Sequence, residues 1–174
     1  MIIFAEIIDQ PSSGEYDEKI YDHQSPWNSQ TWTYIKFTNA DHDEWCGVFR
    51  GQGRDVALAA HQQEVIVLTS DYAWRLRQQD GTVLELEDRP SYRNLTIAPS
   101  GEIVISDYYH IWRINGTLKT LIPIPSPVQM DLIQFKNWSG NVLRIACDEF
   151  MSGRHLELEL DAASWKIELK SDLQ

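Results

Sequence analysis

Glu64-Val65-Ile66-Val67, followed after a short polar break by Ser70-Asp71-Tyr72-Ala73-Trp74-Arg75-Leu76, returns as Glu102-Ile103-Val104-Ile105 with Ser106-Asp107-Tyr108-Tyr109-His110-Ile111-Trp112-Arg113-Ile114 behind it. Glu64 to Glu102 and Trp74 to Trp112 both give an offset of 38 (102 − 64 and 112 − 74), whereas the Ser-Asp-Tyr triplets lie 36 apart (106 − 70). A repeated pair of strands joined by a loop of variable length accounts for both offsets. The apolar runs are short and rich in β-branched and aromatic residues, which suit a pleated surface.

Outward from this pair, four short strands fill a first unit over 55–89: Val56 to Ala59, Glu64 to Thr69, Tyr72 to Arg77 and Thr82 to Glu87, with Asp80-Gly81 as a hairpin turn. A second unit over 93–123 repeats them as Asn94 to Ala98, Glu102 to Ser106, Tyr108 to Ile114 and Leu118 to Ile122. Beyond the spacer Pro123-Ile124-Pro125-Ser126-Pro127, a third unit over 129–170 reads as Asp131 to Lys136, Asn141 to Ala146, Arg154 to Leu160 and Trp165 to Leu169. Leu156-Glu157-Leu158-Glu159-Leu160 alternates cleanly, one face buried and one wet. Gly, Pro, Asn and β-branched residues recur too often for a long amphipathic helix. The fold class expected is all-β.

Upstream, Met1 to Asp9 reads as a strand apolar on both faces, expected inside a sheet. Trp32 to Phe37 and Trp45 to Arg50 form a hairpin about the turn Asn39-Ala40-Asp41-His42-Asp43-Glu44. Between them, Gln10 to Thr31 loses all periodicity and is expected to be a long loop, acidic and aromatic at once. The whole chain is expected to be a single domain with an irregular β region over 1–50.

Four-stranded units spaced by about 38–40 residues resemble β-propeller blades of the WD40 or kelch kind, over Asp55 to Leu169. The resemblance implies an open, partial propeller-like array of four-stranded antiparallel sheets with the N-terminal strands covering one edge; a β-sandwich is the alternative. Trp74 and Trp112 are expected to be core aromatics packed between sheets. Asp71 and Asp107, recurring at matching positions, are expected to close strand-connecting loops by accepting hydrogen bonds from backbone amides.

Candidate chemistry is sparse. Asp41-His42-Asp43-Glu44 holds carboxylates and an imidazole suited to divalent metals, but adjacent turn residues seldom converge on one ion, so it reads as a solvated acidic turn. Cys46 and Cys147 are expected to be reduced, Cys147 buried at the end of an apolar strand as a small hydrophobe. No Gly-x-Ser-x-Gly elbow accompanies the Ser-Asp-Tyr triplets, and Gly51-Gln52-Gly53 lacks the spacing of a phosphate loop. The expectation is a protein that is not an enzyme and needs no cofactor or metal.

The 174 residues carry a formal charge of −11, a negative field that repels phosphate backbones and attracts basic partners. Nine acidic residues against three basic ones fall in residues 1–50. The N-terminal run lacks a basic segment and is broken by Glu6 and Asp9, which argues against a signal peptide or membrane span, so a cytoplasmic location is expected. Small, acidic and all-β, the chain is similar in size, charge and architecture to bacterial immunity proteins of contact-dependent growth inhibition systems. That resemblance implies a monomer that forms a heterodimer with a basic protein toxin, in the first place a nuclease, with no nucleic-acid or membrane contact of its own. The expected partner surface is Glu15, Tyr16, Asp17, Glu18, Asp22, Asp41, Asp43 and Glu44, with Tyr72, Tyr108 and Tyr109 added. A propeller-like interaction scaffold, or a hydrolase with a site at a propeller mouth, are the competing functions.

Overall fold

A computed structural model describes residues 1–170. Sixteen strands follow one another without a helix among the described residues: β1 (Ile2–Ile8), β2 (Asp17–Tyr21), β3 (Trp32–Asn39), β4 (Glu44–Arg50), β5 (Gly53–Ala59), β6 (Glu64–Thr69), β7 (Tyr72–Arg77), β8 (Val83–Asp88), β9 (Asn94–Ile97), β10 (Ile103–Ser106), β11 (Ile111–Asn115), β12 (Thr117–Ile124), β13 (Met130–Ser139), β14 (Val142–Glu149), β15 (His155–Asp161) and β16 (Lys166–Leu169). They form four separate four-stranded sheets, none of them closed. The protein is all-β, and the three repeat units read from the sequence each become one sheet of four consecutive antiparallel strands. The chain divides into two compact units, residues 1–91 and 92–174.

In the first unit the N-terminal sheet has the order β1-β3-β4-β2, which departs from expectation twice. β1 lies at an edge rather than inside, with Ile3, Phe4 and Ile7 exposed. Asp17–Tyr21, read as loop, is a strand that pairs parallel with β4. Asp-Glu-Lys-Ile-Tyr has no apolar alternation because four of its five side chains are exposed. The strand exists through tertiary pairing, and Tyr21 is its one buried anchor. Tyr21 stacks on Phe49 at 4.2 Å and meets Trp74 edge-on at 6.0 Å, while its hydroxyl donates to the Gly81 carbonyl at 2.7 Å. Gly81 is required there: its φ is +69°, and a Cβ would stand 2.6 Å from the Tyr21 hydroxyl. With Phe37, Val65, Val67 and Leu76 these residues form one core joining the N-terminal sheet to the β5–β8 sheet.

The second unit packs the β9–β12 sheet on the β13–β16 sheet about Val104, Ile111, Ile145, Leu158 and Leu160. Its register repeats the first: Trp74 pairs with Val67, and Trp112 pairs with Ile105, again 38 residues on (105 − 67). The environments differ. Trp74 is buried among Tyr21, Phe49 and Tyr72, with an indole N–H that has no acceptor. Trp112, expected in the core, is half-buried against Tyr92 and His110.

Charged positions diverge as well. Arg75 is gripped by Glu64, at 2.8 and 2.6 Å, and by Glu85 directly across the ladder at 2.7 Å, with all three side chains largely buried. At the corresponding positions 38 residues on stand Arg113, Glu102 and Pro123. Arg113 lies 4.3 Å over the Trp165 ring instead, and Arg113 Nε and Glu102 Oε2 are buried without hydrogen-bond partners. Removing one member of a buried ion cluster strands the remaining charges. Arg75→Met is therefore expected to cost about 3 kcal/mol, and Arg113→Met less than about 1 kcal/mol because only a ring contact is lost. Urea unfolding followed by circular dichroism measures both, and equal costs would show that the Arg75 cluster carries no special weight.

Candidate binding surfaces

Two surfaces stand out, one in each unit. In the first, the parallel pairing of β2 with β4 sets Asp17 opposite Trp45 and Glu18 opposite Cys46. Because the strands run the same way, the start of β2 lies beside the β3–β4 turn. Asp17 and Glu18 are thereby brought to the same sheet end as Asp41, Asp43 and Glu44, from which 23 or more residues separate them in sequence (41 − 18). Lys36 reaches this end from β3, held by Glu6 at 2.8 Å and by Glu44 at 3.6 Å. Asp17, Glu18, Asp41 and Asp43 are exposed and form no ion pair with a described residue. Glu15 accepts from the Ser12 amide at 2.8 Å and closes the turn before β2, with Tyr16 half-buried beside it.

Other expected contacts belong elsewhere. Asp22 lies at the far end of β2, roughly 16 Å along the strand from Asp17. It accepts from Arg50 at 2.7 and 3.1 Å, and this hydrogen bonding holds its carboxyl below the usual carboxylate range. Arg50 in turn stacks 3.6 Å over Trp32, so Asp22 is a structural partner within the loop. Tyr72 is corrected outright: it is 0% exposed, and the single proton of its hydroxyl is shared between the His23 carbonyl, at 2.8 Å, and Asn28 Oδ1. It is an internal anchor for residues 23–28 and has no face left for a partner.

Asp71 and Asp107 do close loops. Asp107 accepts from the amides of Tyr109 and His110, both at 2.7 Å, and so folds its own connection. Asp71 accepts from the Ser29 amide at 2.7 Å, tying down the N-terminal loop instead. The Asp-to-Trp spacing is three in the first copy and five in the second (74 − 71 and 112 − 107). Those two extra residues move Tyr108 out of the strand register, and Tyr108 and Tyr109 are 37% and 45% exposed.

The expanded loop forms one wall of the second unit's cleft, which has a volume of about 460 Å³. Tyr109, His110 and Trp112, Pro123 to Pro125 on the neighbouring strand, and Phe150 of the β14–β15 turn line it. Tyr109 and Phe150 meet edge to face at 6.3 Å, and His110 Nδ1 lies 3.6 Å from Asp107. The spacing difference of two was the signal for this cleft in the sequence. The residues Trp112, Pro123, Pro125 and Phe150 carried none, because their convergence depends on the fold.

Among the described residues no group of three or more His, Cys, Asp and Glu side chains is arranged to hold a metal ion, and no helix is long and apolar enough to cross a membrane. Both cysteines are free and buried. No protein-family model matches the chain, and no curated protein matches it.

Burial, and then the charge of Asp148, push the Cys147 thiol up to about 11. A raised thiol pKa means that folding favours the neutral form. Its contribution to stability is full below the unfolded thiol's pKa of about 8.5 and is lost as pH rises from there through 11. At pH 8 the native thiol is expected to react with Ellman's reagent at least about 100-fold more slowly than the urea-unfolded chain. The alkaline loss of stability between pH 9 and 11 should shrink in Cys147→Ala. A fast native reaction that persists in Cys46→Ala would identify Cys147 as an activated thiol and restore nucleophilic chemistry.

Proposed function

We propose that this chain is an immunity protein, a non-catalytic inhibitor that binds a basic protein toxin, in the first place a nuclease, and occludes its active site. The observation that carries it is the convergence of Asp17, Glu18, Asp41 and Asp43 at one sheet end, all four exposed and in no ion pair with a described residue. Uncompensated carboxylates raise the electrostatic cost of the free protein and gain it back against a basic surface. Inhibition by occlusion needs complementary charge and a few anchors, and no bond-making group. Phosphate-cleaving enzymes present cations where the substrate's phosphates bind, which is the surface such an inhibitor would cover. The proposal places the chain in the cytoplasm as a monomer until it meets its partner. It takes the repeating four-stranded sheets as propeller-like blades, a reading supported by the 38-residue register shared by β6–β7 and β10–β11.

The test begins with the reading frame that precedes this one in the genome. Its product should arrest growth, co-expression of this chain should relieve the arrest, and the two should copurify as a one-to-one complex. A harmless product, or one this chain neither binds nor neutralises, would remove the immunity role. With the complex in hand, Asp17→Lys/Glu18→Lys and Asp41→Lys/Asp43→Lys should each slow association roughly tenfold at low salt, with little effect on dissociation. High salt should erase the difference. Asp22→Lys should instead lower stability through loss of the Arg50 pair. Unchanged association in both double variants, with native circular dichroism, would take this sheet end out of the interface.

A further inference from the structure

The cleft of the second unit exists because one copy of the repeat gained two residues. In the first copy Tyr72 begins its strand and is buried; at the same offset of 38 the second copy has His110, and Tyr108 and Tyr109 stand outside the sheet. Large aromatic side chains held at a surface by a designed turn, here the two amide bonds to Asp107, cost solvation without adding to the core. Beside them Phe150 and Met151 are exposed at the β14–β15 turn, Met151 by 89%.

We propose that this cleft is a binding site for an arginine side chain carried by a partner protein. Several independent features select a cation. Tyr109, Trp112 and Phe150 supply rings whose faces carry negative charge density, and Tyr109 and Phe150 stand at 85° to one another as adjoining walls. Beside Trp112 in the ladder, Pro123 lines the cleft together with Pro125, and neither has an N–H to donate. No Lys or Arg lines the cleft, and the carboxylate of Asp107 stands behind the His110 ring. An anion would meet π faces; a cation meets their complementary charge. Among cations, guanidinium is planar and weakly hydrated and stacks on rings, whereas an ammonium is costlier to dehydrate. The chain already uses this pairing beside the cleft, where the Arg93 guanidinium lies 4.5 Å over the Tyr108 ring. A volume of about 460 Å³ falls in the range of small-ligand sites and admits the guanidinium with its aliphatic stem.

The site lies in the other unit from the acidic sheet end, so its test is separate. The full chain is titrated with N-acetylarginine N-methylamide, with its neutral citrulline isostere and with hexaproline, and aromatic NMR signals of Trp112, Tyr109 and Phe150 are followed. The arginine compound should give saturable shifts on these rings, and the citrulline compound should bind roughly tenfold more weakly. Phe150→Ser, at an exposed turn, and Tyr109→Ala should each weaken binding about threefold or more, with circular dichroism unchanged. Asp17→Lys/Glu18→Lys should leave this binding as it is. Equal binding of arginine and citrulline, preferential binding of hexaproline, or no ring shift up to roughly 50 mM would overturn the proposal. Retained binding in both ring variants would overturn it as well.

Discussion

Tyr21 is the residue on which the first unit turns. Its ring is stacked on Phe49 of the neighbouring strand and set edge-on to Trp74 of the other sheet, and its hydroxyl reaches the Gly81 carbonyl in the β7–β8 turn. One side chain therefore fixes the position of β2, joins two sheets and selects the turn residue, since only a residue without Cβ leaves the hydroxyl its place. Burial is strong enough to hold its phenol protonated far above the usual range, with the charge of Asp80 adding to the effect. Tyr21 is the one buried side chain of β2; the rest of the strand is held by its parallel pairing with β4 and by Lys19 Nζ, which donates to the Gly81 carbonyl at 3.2 Å.

The two copies of the repeat show how one register can serve different ends. Val67 and Trp74, Ile105 and Trp112 keep the ladder positions, so the backbone hydrogen bonds are conserved between copies. In the first copy the charged positions close on themselves as Glu64, Arg75 and Glu85. In the second, Ile122 stands opposite the arginine where the first has a carboxylate, and the arginine turns to Trp165. Pro123, the residue after Ile122 and opposite Trp112, has no N–H to offer and lines the cleft. The arginine that closes a buried ion cluster in one copy thus makes a ring contact in the other, with two buried polar atoms left without partners.

How much of this could be read from the residues follows from where the information lies. The twelve repeat strands were legible because their alternation and turn residues are local. β2 was not, since its existence depends on a parallel partner more than twenty residues away, and β1 was misplaced because apolar residues on both faces do not distinguish an inner strand from an edge with exposed Ile3, Phe4 and Ile7. The acidic turn and the acidic start of β2 were both visible as composition, but not that they meet. Tyr72 and Tyr108, identical in their triplets, separate into an internal anchor and a surface ring only through the two-residue difference in loop length.

The carboxylates at the start of β2 answer two demands at once. An edge strand offers unpaired backbone groups to any other chain, and charged side chains there oppose pairing with a second copy of the same acidic sheet. Asp17, Glu18 and Lys19 satisfy that demand whether or not a partner exists, and Ile20, 67% exposed, is the residue they must protect. Their charge taken alone therefore says little about recognition. Asp41 and Asp43 lie in the β3–β4 turn, away from any open ladder, and edge protection gives no reason for them to be acidic. Asp41 accepts from the Asp43 amide at 3.3 Å, a local role that asparagine or serine would fill without charge. Folding and edge protection thus leave the charge of that turn unexplained, and the basic partner proposed above would give it a physical purpose.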